Sequence, residues 1–401
     1  MNNQFLLPNN WQILEIRNLI EKIPLTGIKL KMRDYNEDGK YPVIDQGQEL
    51  IGGFTDEEML VPCELPVIVF GDHTKEIKFI DFPFVAGADG IKVIKPKSVF
   101  NSKLFYYFLQ AVKIPDKGYA RHYQYLEKEL IPIPPIEEQV LIVSKIEELF
   151  SQLDAGVAGL KRAQAALKRY RASVLKNAVE GNLLNNEKKI ANCIQIGWKE
   201  TTINNISKKD KNSIKRGPFG SSVKKAYFVP EGYKIYQQKN VIKNDFSLGD
   251  YYIDAKRFAN LIDFQVFPGD VLITGAGTIG KVAIVPKNIE PGIMNQALLK
   301  ISLNPEIIIT DYFLYFFEVK AMEYLLAKTR GSAMQNISSV RDLKEMKILL
   351  PSINEQRQIV NEVERQLTII NEIRESIINN LNRTSNIRHA ILKHAYQGKL
   401  I

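Results

Sequence analysis

The stretch from Gly275 to Gly280 (GAGTIG) has the glycine spacing of a dinucleotide-binding loop, and it follows an apolar run, Val271–Thr274, that reads as a strand. Such a loop works only when a helix comes next, its N-terminus facing the pyrophosphate, and when an acid about 20 residues on holds the ribose. Here Lys281-Val282-Ala283-Ile284-Val285-Pro286 follows, β-branched and stopped by proline, and Asn295 and Gln296 stand where the acid would be. The stretch is read as a glycine-rich hairpin, with a dinucleotide enzyme kept as one rival reading. The four histidines, His73, His122, His389 and His394, show no metal-ligand spacing. There is no Walker A loop, HExxH, nucleophile elbow or Asn-Pro-Pro-aromatic run. The expectation is a chain with no catalytic, metal or cofactor site of its own.

What the chain does contain is a repeat. Residues 134–184 return as residues 351–401 at a constant, gap-free separation of 217. Of the 51 paired positions 13 are identical, among them Pro134, Glu138, Gln139, Ile142, Arg171, Leu175, Ala178 and Gly181. Each unit begins after a proline and ends at a glycine, Gly181 or Gly398, as a long helix with a left-handed cap would. In the first, Ile142, Ile146, Leu149, Leu153, Leu160, Leu167 and Val174 fall on a heptad seam. In the second, the seam holds Ile359, Val363, Ile370, Ile373, Ile377, Ile387 and Ile391, with polar Gln366, Asn380 and Thr384 interrupting it. A helix of about 44 residues would span roughly 65 Å.

Charge suggests how the helices pair. Glu137, Glu138, Glu147, Glu148 and Asp154 fill the front of the first, and Lys161, Arg162, Lys168, Arg169, Arg171 and Lys176 its rear. The second repeats the order, acids up to Glu375 and bases from Arg383. The gradient suits each macrodipole by itself, but antiparallel pairing also sets each acidic half against a basic one. Before each helix lies a block opening on a tryptophan, Trp11 or Trp198, with short apolar runs broken by Gly, Pro and Asp. Late in each comes an aromatic stretch, Phe105–Leu109 or Phe313–Phe317, read as a core helix.

Composition is that of an ordinary globular protein, and 401 residues suffice for two or three cores. Two cysteines suit a reducing compartment; no run approaches a membrane span, and the N-terminus does not read as a signal peptide. The cytoplasm is the expected location. The net charge of +9 is uneven: residues 1–134 carry −2 and residues 185–350 carry +8. A surplus of bases favours a polyanionic partner without proving one.

The order of block, long helix with a Pro-x-Ile-x-Glu-Gln start, block and second such helix resembles the specificity (S) subunit of type I restriction–modification systems. Local phrases resemble that family too: Gly39–Gly47 (GKYPVIDQG), Gly71-Asp72 with Asp81–Phe84, Arg216–Ser222 (RGPFGSS), Gly269–Gly280 and Gly331–Asn336 (GSAMQN). The resemblance implies an α+β fold, with two similar mixed α/β target recognition domains separated by two long antiparallel coiled-coil helices in a pseudo-twofold arrangement. Its expected divisions are a first recognition domain over 1–134, a central spacer helix over 135–184, a second recognition domain over 185–350 (185–194 a linker) and a C-terminal spacer helix over 351–401. It implies double-stranded DNA as partner, one domain reading each half of a bipartite target, and two methyltransferase (M) subunits docked for adenine methylation. Restriction (R) subunits would join where the system cleaves. S-adenosylmethionine, and ATP with Mg, would belong to those subunits, and none to this chain. No membrane partner is expected.

Loop placement beside glycines, and a mixture of cations with base-capable amides, nominate the DNA contacts. In the first block they are Lys29, Lys31, Arg33, His73, Thr74, Lys75, Arg121 and Gln124. In the second they are Lys215, Arg216, Ser221, Ser222, Gln237, Lys239, Asn240, Thr278, Lys281, Arg330, Ser332, Gln335 and Asn336. The repeated Glu138/Gln139 and Glu355/Gln356 would either anchor the adjoining block or meet an M subunit. The remaining rival is a non-enzymatic scaffold whose two domains bind proteins.

Overall fold

A computed structural model describes residues 7–87, 90–115, 117–118, 120–184, 197–276, 278–321 and 340–401. The chain divides into two compact units, residues 1–163 with 376–401, and residues 164–375. Each long helix, Ile136–Val179 and Ile353–Tyr396, contributes one part to each unit. The 185–194 linker lies outside the described residues.

The first unit contains β1 (Gln12–Glu15), β2 (Ile20–Ile23), β3 (Tyr41–Ile44), β4 (Gly53–Thr55), β5 (Val67–Gly71), β6 (Ile77–Ile80), β7 (Val85–Ala86), β8 (Ile91–Pro96) and β9 (Leu130–Ile133). They form a pair β1-β9, a four-stranded sheet β2-β8-β5-β6 and a three-stranded sheet β4-β3-β7. The second unit contains β10 (Lys199–Thr202), β11 (Ile214–Arg216), β12 (Tyr233–Tyr236), β13 (Tyr252–Ile253), β14 (Val271–Thr274), β15 (Val282–Ile284), β16 (Gly292–Met294), β17 (Leu298–Ile301) and β18 (Lys347–Leu350). Its sheets are β10-β18, β11-β17-β14-β15 and β13-β12-β16. Strand for strand this is the same plan, down to the parallel pairing of β3 with β7 and of β12 with β16. The central strands β5 and β14 are buried along their whole length, as continuous apolar runs covered on both faces must be.

Helices complete each core. Ser102–Ala111 buries Leu104, Phe105, Tyr107, Phe108 and Leu109, and Thr310–Phe316 buries Tyr312, Phe313 and Phe316. The aromatic stretches are core, as expected. In the first unit this core takes in Ile142 and Ile146 from the start of one long helix and Leu392 and Ala395 from the end of the other. In the second it takes in Val174, Leu175 and Ala178 with Ile359 and Val363. Within each unit, therefore, the two helices run antiparallel. Asp154 meets Arg388 in the first and Tyr170 Oη donates to Gln366 Oε1 at 2.8 Å in the second. The identities at a separation of 217 coincide with burial: Ile142 and Ile359, Leu175 and Leu392, and Ala178 and Ala395 are all at most 3% exposed.

The expected seam needs correction in the second helix. Ile373 and Ile387 are each 45% exposed, whereas Leu392 and Ala395, off the seam, are buried. A helix of 3.6 residues per turn drifts about 20° per heptad against a 3.5-residue repeat, so an apolar stripe kept strictly every seven residues rotates out of the contact. Leu149, Leu153, Leu160, Leu167 and Ile391 are only partly covered, while Ile370 and Ile377 are buried.

These environments set an order of importance. Ile146→Ala, which opens a hole in a fully buried position, is expected to cost ~2–5 kcal/mol. Asp154→Ala, which removes an exposed ion pair, is expected to cost less than ~1 kcal/mol. Urea unfolding of the two variants checks the ranking; equal losses would mean that the helix pair is held by charge.

Candidate nucleic-acid interface

The repeat is sharpest where each long helix begins. Gln139, 1% exposed, accepts from the Asn101 amide (2.6 Å) and donates to the Val99 and Pro134 carbonyls (3.0 and 2.9 Å). Gln356, fully buried, accepts from the Ile309 amide (2.8 Å) and donates to the carbonyls of Ile307 and Pro351, both at 3.0 Å. Each glutamine thus ties its helix start to the start of the aromatic helix of the adjoining block. The neighbouring glutamates diverge. Glu138 accepts from Asn10 Nδ2 and Trp11 Nε1, at 2.5 and 2.8 Å. Glu355 instead caps its own helix through Ser352, and Trp198 Nε1 is buried without a partner among the described residues.

On these scaffolds the loops assemble in a common pattern. Gln46 and Gln238 each stand two residues beyond a strand, β3 or β12. Gln46 Oε1 accepts from the His73 amide at 3.3 Å, while Gln238 Nε2 donates to the Ala276 carbonyl. Each therefore braces the turn that follows β5 or β14. That turn is further pinned to the segment after β7 or β16, through Asp72 N–H to the Gly90 carbonyl (2.6 Å) and Gly275 N–H to the Ala297 carbonyl (2.7 Å). Spacing alone did not reveal this pair of glutamines; only their shared position behind equivalent strands does.

In the first unit the nominated residues fall into two groups. Lys31 and Arg33 are exposed beside a 3₁₀ turn, Met32–Asp34, and exposed Lys29 precedes it; the loop is held by the Leu30 amide on the Ala86 carbonyl at 2.9 Å. His73, Thr74, Lys75, Arg121 and Gln124 form the other, knit by buried Asp72. Its backbone carbonyl accepts from the His122 amide and its Oδ1 from the Tyr123 amide, both at 2.8 Å. The Thr74 hydroxyl donates to the Gln46 carbonyl at 2.7 Å, and Gln124 Nε2 to the Arg121 carbonyl at 3.0 Å. Lys75 takes the left-handed position of its turn, with φ of 64°.

In the second unit the segment 295–298 is the post around which three others gather. Gly217 N–H donates to the Leu298 carbonyl at 2.9 Å, Gln238 reaches Ala297, and Gly275 does so through its backbone. Arg216 Nε approaches the Gln296 carbonyl at 3.5 Å. Thr278 and Lys281 are exposed on the glycine-rich turn between β14 and β15, which pair antiparallel; the segment is a hairpin, as read. Ser221 is exposed and Ser222 half-buried, the Ser222 carbonyl accepting from Arg257 at 3.1 Å. Lys239 lies over the Tyr251 ring, 5.5 Å from its centroid.

Two nominations are corrected. Asn240 is fully buried: it donates to the Asp245 and Leu248 carbonyls at 3.0 and 2.8 Å and accepts from the Gln237 amide at 2.7 Å. Its acceptor is spent on the cap of a short helix, Gln238–Lys243, and its donors on the loop beyond; Gln237, half-buried, is the N-cap residue of that helix. Lys215 donates to Asn212 and to Asp263 (2.7 and 2.9 Å) and lies over the Phe264 ring. That hydrogen bond holds the Asp263 carboxyl below its ordinary range, so the lysine's charge is answered within the protein. Arg330, Ser332, Gln335 and Asn336 lie outside the described residues. Two exposed residues not nominated from the sequence are Phe219 and Gln296, on the segments adjoining Arg216; a Cβ added at Gly220 would lie 2.4 Å from Gln296 Oε1, so the two segments touch there.

The architecture is that of a duplicated α+β protein in which paired helices carry two like loop-bearing domains. The chain belongs to the family described as the type I restriction modification DNA specificity domain, whose model matches residues 8–159 and 195–383. It is 26% identical over 361 residues to the type I restriction enzyme EcoBI specificity subunit of Escherichia coli, covering 84% of this chain and 74% of that one. It is 23% identical to the EcoR124I/EcoR124II specificity subunit of Escherichia coli, covering 87% and 84%. Among solved structures, the HsdS subunit from Thermoanaerobacter tengcongensis shares the fold, with a TM-score of 0.59 over 99% of each chain at 17% identity. A chain solved in work on complex assembly and conformational transition of the type I R-M system superposes with a TM-score of 0.63, at 18% identity over 98% of this chain and 99% of that one. Among the described residues, no helix is long and apolar enough to cross a membrane.

Proposed function

We propose that this chain is the DNA-reading, non-catalytic subunit of a type I restriction–modification enzyme, with each loop-bearing domain reading one half of a bipartite target. The observation that carries the reading is the duplicated bracing of the loops by Gln46 and Gln238, in a chain of the specificity family. Two equivalent platforms present different side chains, which is what recognition of two unlike half-sites requires. Arg216, Lys281, Lys31 and Arg33 would meet phosphates, and Ser221, Thr278 and Gln124 base edges. The long helices would carry two methyltransferase subunits, exposed Val140, Leu141, Ile369 and Ile373 offering them apolar contact. S-adenosylmethionine, and ATP with Mg where a restriction subunit joins, would enter on those partners.

The test is methylation of plasmid DNA. The chain alone should methylate nothing, and adding its methyltransferase subunits should yield adenine methylation at one two-part sequence. Duplex binding should fall by orders of magnitude between 50 and 200 mM salt as released counterions cease to favour it. Salt-independent binding, or methylation without a common sequence, would favour a protein scaffold instead.

A further inference from the structure

Phe219 is 86% exposed, the most exposed of the large hydrophobic side chains among the described residues. A lone exposed aromatic is ordinary; this one is displayed on a braced loop. A Cβ at Gly217 would lie 1.8 Å from the Asn295 carbonyl oxygen, so the backbone there is pressed against the 295–298 post and no side chain fits between. Beyond Phe219 the chain closes into a 3₁₀ turn, Gly220–Ser222, the Ser222 amide donating back to the Phe219 carbonyl at 2.8 Å. Arg257 holds the far end, donating to the Ser222 carbonyl at 3.1 Å with its guanidinium 3.4 Å from the centre of the Tyr227 ring. Around the loop stand Arg216 before it and exposed Lys224 and Lys225 after it.

The first domain has the same loop without the aromatic. Its preceding strand ends at Ile23 as the other ends at Arg216, and its 3₁₀ turn Met32–Asp34 matches Lys225–Tyr227, both at a separation of 193. The residue equivalent to Phe219 is Thr26.

We propose that Phe219 is a wedge that enters the DNA stack at one base step of the half-site read by the second domain; the matching loop of the first domain carries no aromatic there and presents instead Met32, 74% exposed between Lys31 and Arg33, beyond the equivalent position. This rests on the DNA-reading function proposed above. A rigid apolar side chain between cations that seize the flanking phosphates is the arrangement that unstacks a step. Because pyrimidine–purine steps deform most easily, the residue would select such a step without hydrogen-bonding to either base. In the half-site read by the second domain, deformability at that step would then add to contact as a source of specificity.

The experiment is selection from a random-sequence duplex pool by the full-length chain with its methyltransferase subunits, for the native protein, Phe219→Ala and Phe219→Leu. The native protein should enrich two half-sites, one containing a fixed flexible step. Phe219→Ala should lose the preference at that step alone and bind roughly 5- to 150-fold more weakly. Its salt slope should be unchanged, since no phosphate contact is lost; Phe219→Leu should retain the preference. In the selected duplex, 2-aminopurine at the step should brighten on binding the native protein and stay quenched with Phe219→Ala. An unaltered motif and affinity for Phe219→Ala would overturn the proposal. So would unchanged DNA selection with weakened subunit assembly, which would make the residue a protein contact. A native protein that enriches no sequence would instead overturn the DNA-reading function itself, and the wedge with it. The side chain is too exposed for its loss to unfold the protein, and equal thermal unfolding of the three proteins checks that.

Discussion

Exchanging residues 195–350 for the matching block of another specificity subunit is expected to replace one half of the methylated sequence and to leave the other half as it was. The reason is local. In the second unit, the loops that bear Arg216, Ser221, Thr278 and Lys281 are braced by Gly217, Gln238, Gly275 and the 295–298 post, all within the exchanged block. The loops that bear Thr74, Lys75, Arg121 and Gln124 are braced by Gln46, Asp72 and Gly90, all outside it. Discrimination between target and other DNA is typically 10³- to 10⁷-fold, so the exchange should abolish recognition of the old half-site altogether. Mapping methylated adenines in DNA from cells carrying the exchanged chain reads the outcome directly. A change in both halves would mean that the domains do not read independently.

Gln139→Ala should be among the most damaging single substitutions in the first unit. It strands the Asn101 amide and the Val99 and Pro134 carbonyls in a buried setting. Each unmet buried group costs about 1–3 kcal/mol, and because neighbouring losses do not simply add, about 3–5 kcal/mol is expected in total. Calorimetry should show unfolding of the affected unit lowered by on the order of 10 °C. Gln139→Glu should not rescue it, because a carboxylate oxygen would then face two carbonyls in place of the lost donor. Gln356→Ala should act equally on the second unit. A shift of only a degree or two in either would show that the glutamines are not the anchors their geometry makes them.

The sequence announced the long helices because their periodicity and charge gradient are local signals, repeated at one separation. It also marked Gln139 and Gln356 as equivalent, though not whether they anchor the block or serve a partner; burial and three hydrogen bonds apiece decide for anchoring. Sheet order was not legible, since pairings such as β5 with β8 and β3 with β7 are settled by long-range closure. Among candidate contacts, Asn240 misled because an amide that caps a helix and one that reads a base are the same residue type. Lys215 misled because its neutralising acid, Asp263, is 48 residues away. Phe219, although part of the Arg216–Ser222 phrase, was not nominated, because whether an aromatic side chain is buried or displayed is decided by the fold around it. Ile373 and Ile387 were misassigned by a strict seven-residue count applied to a helix whose contact stripe turns slowly about its axis.

The division of the long helices has a consequence for how the protein is made. The unit of residues 164–375 is one uninterrupted stretch, whereas its counterpart needs residues 376–401 to finish a core begun near residue 11. On the ribosome the usual N-terminal-first order is therefore reversed at completion. Ile142 and Ile146 emerge more than two hundred residues before Leu392 and Ala395 arrive to cover them. During that interval the nascent polypeptide presents an open greasy seam, which closes only when Leu392 and Ala395 arrive.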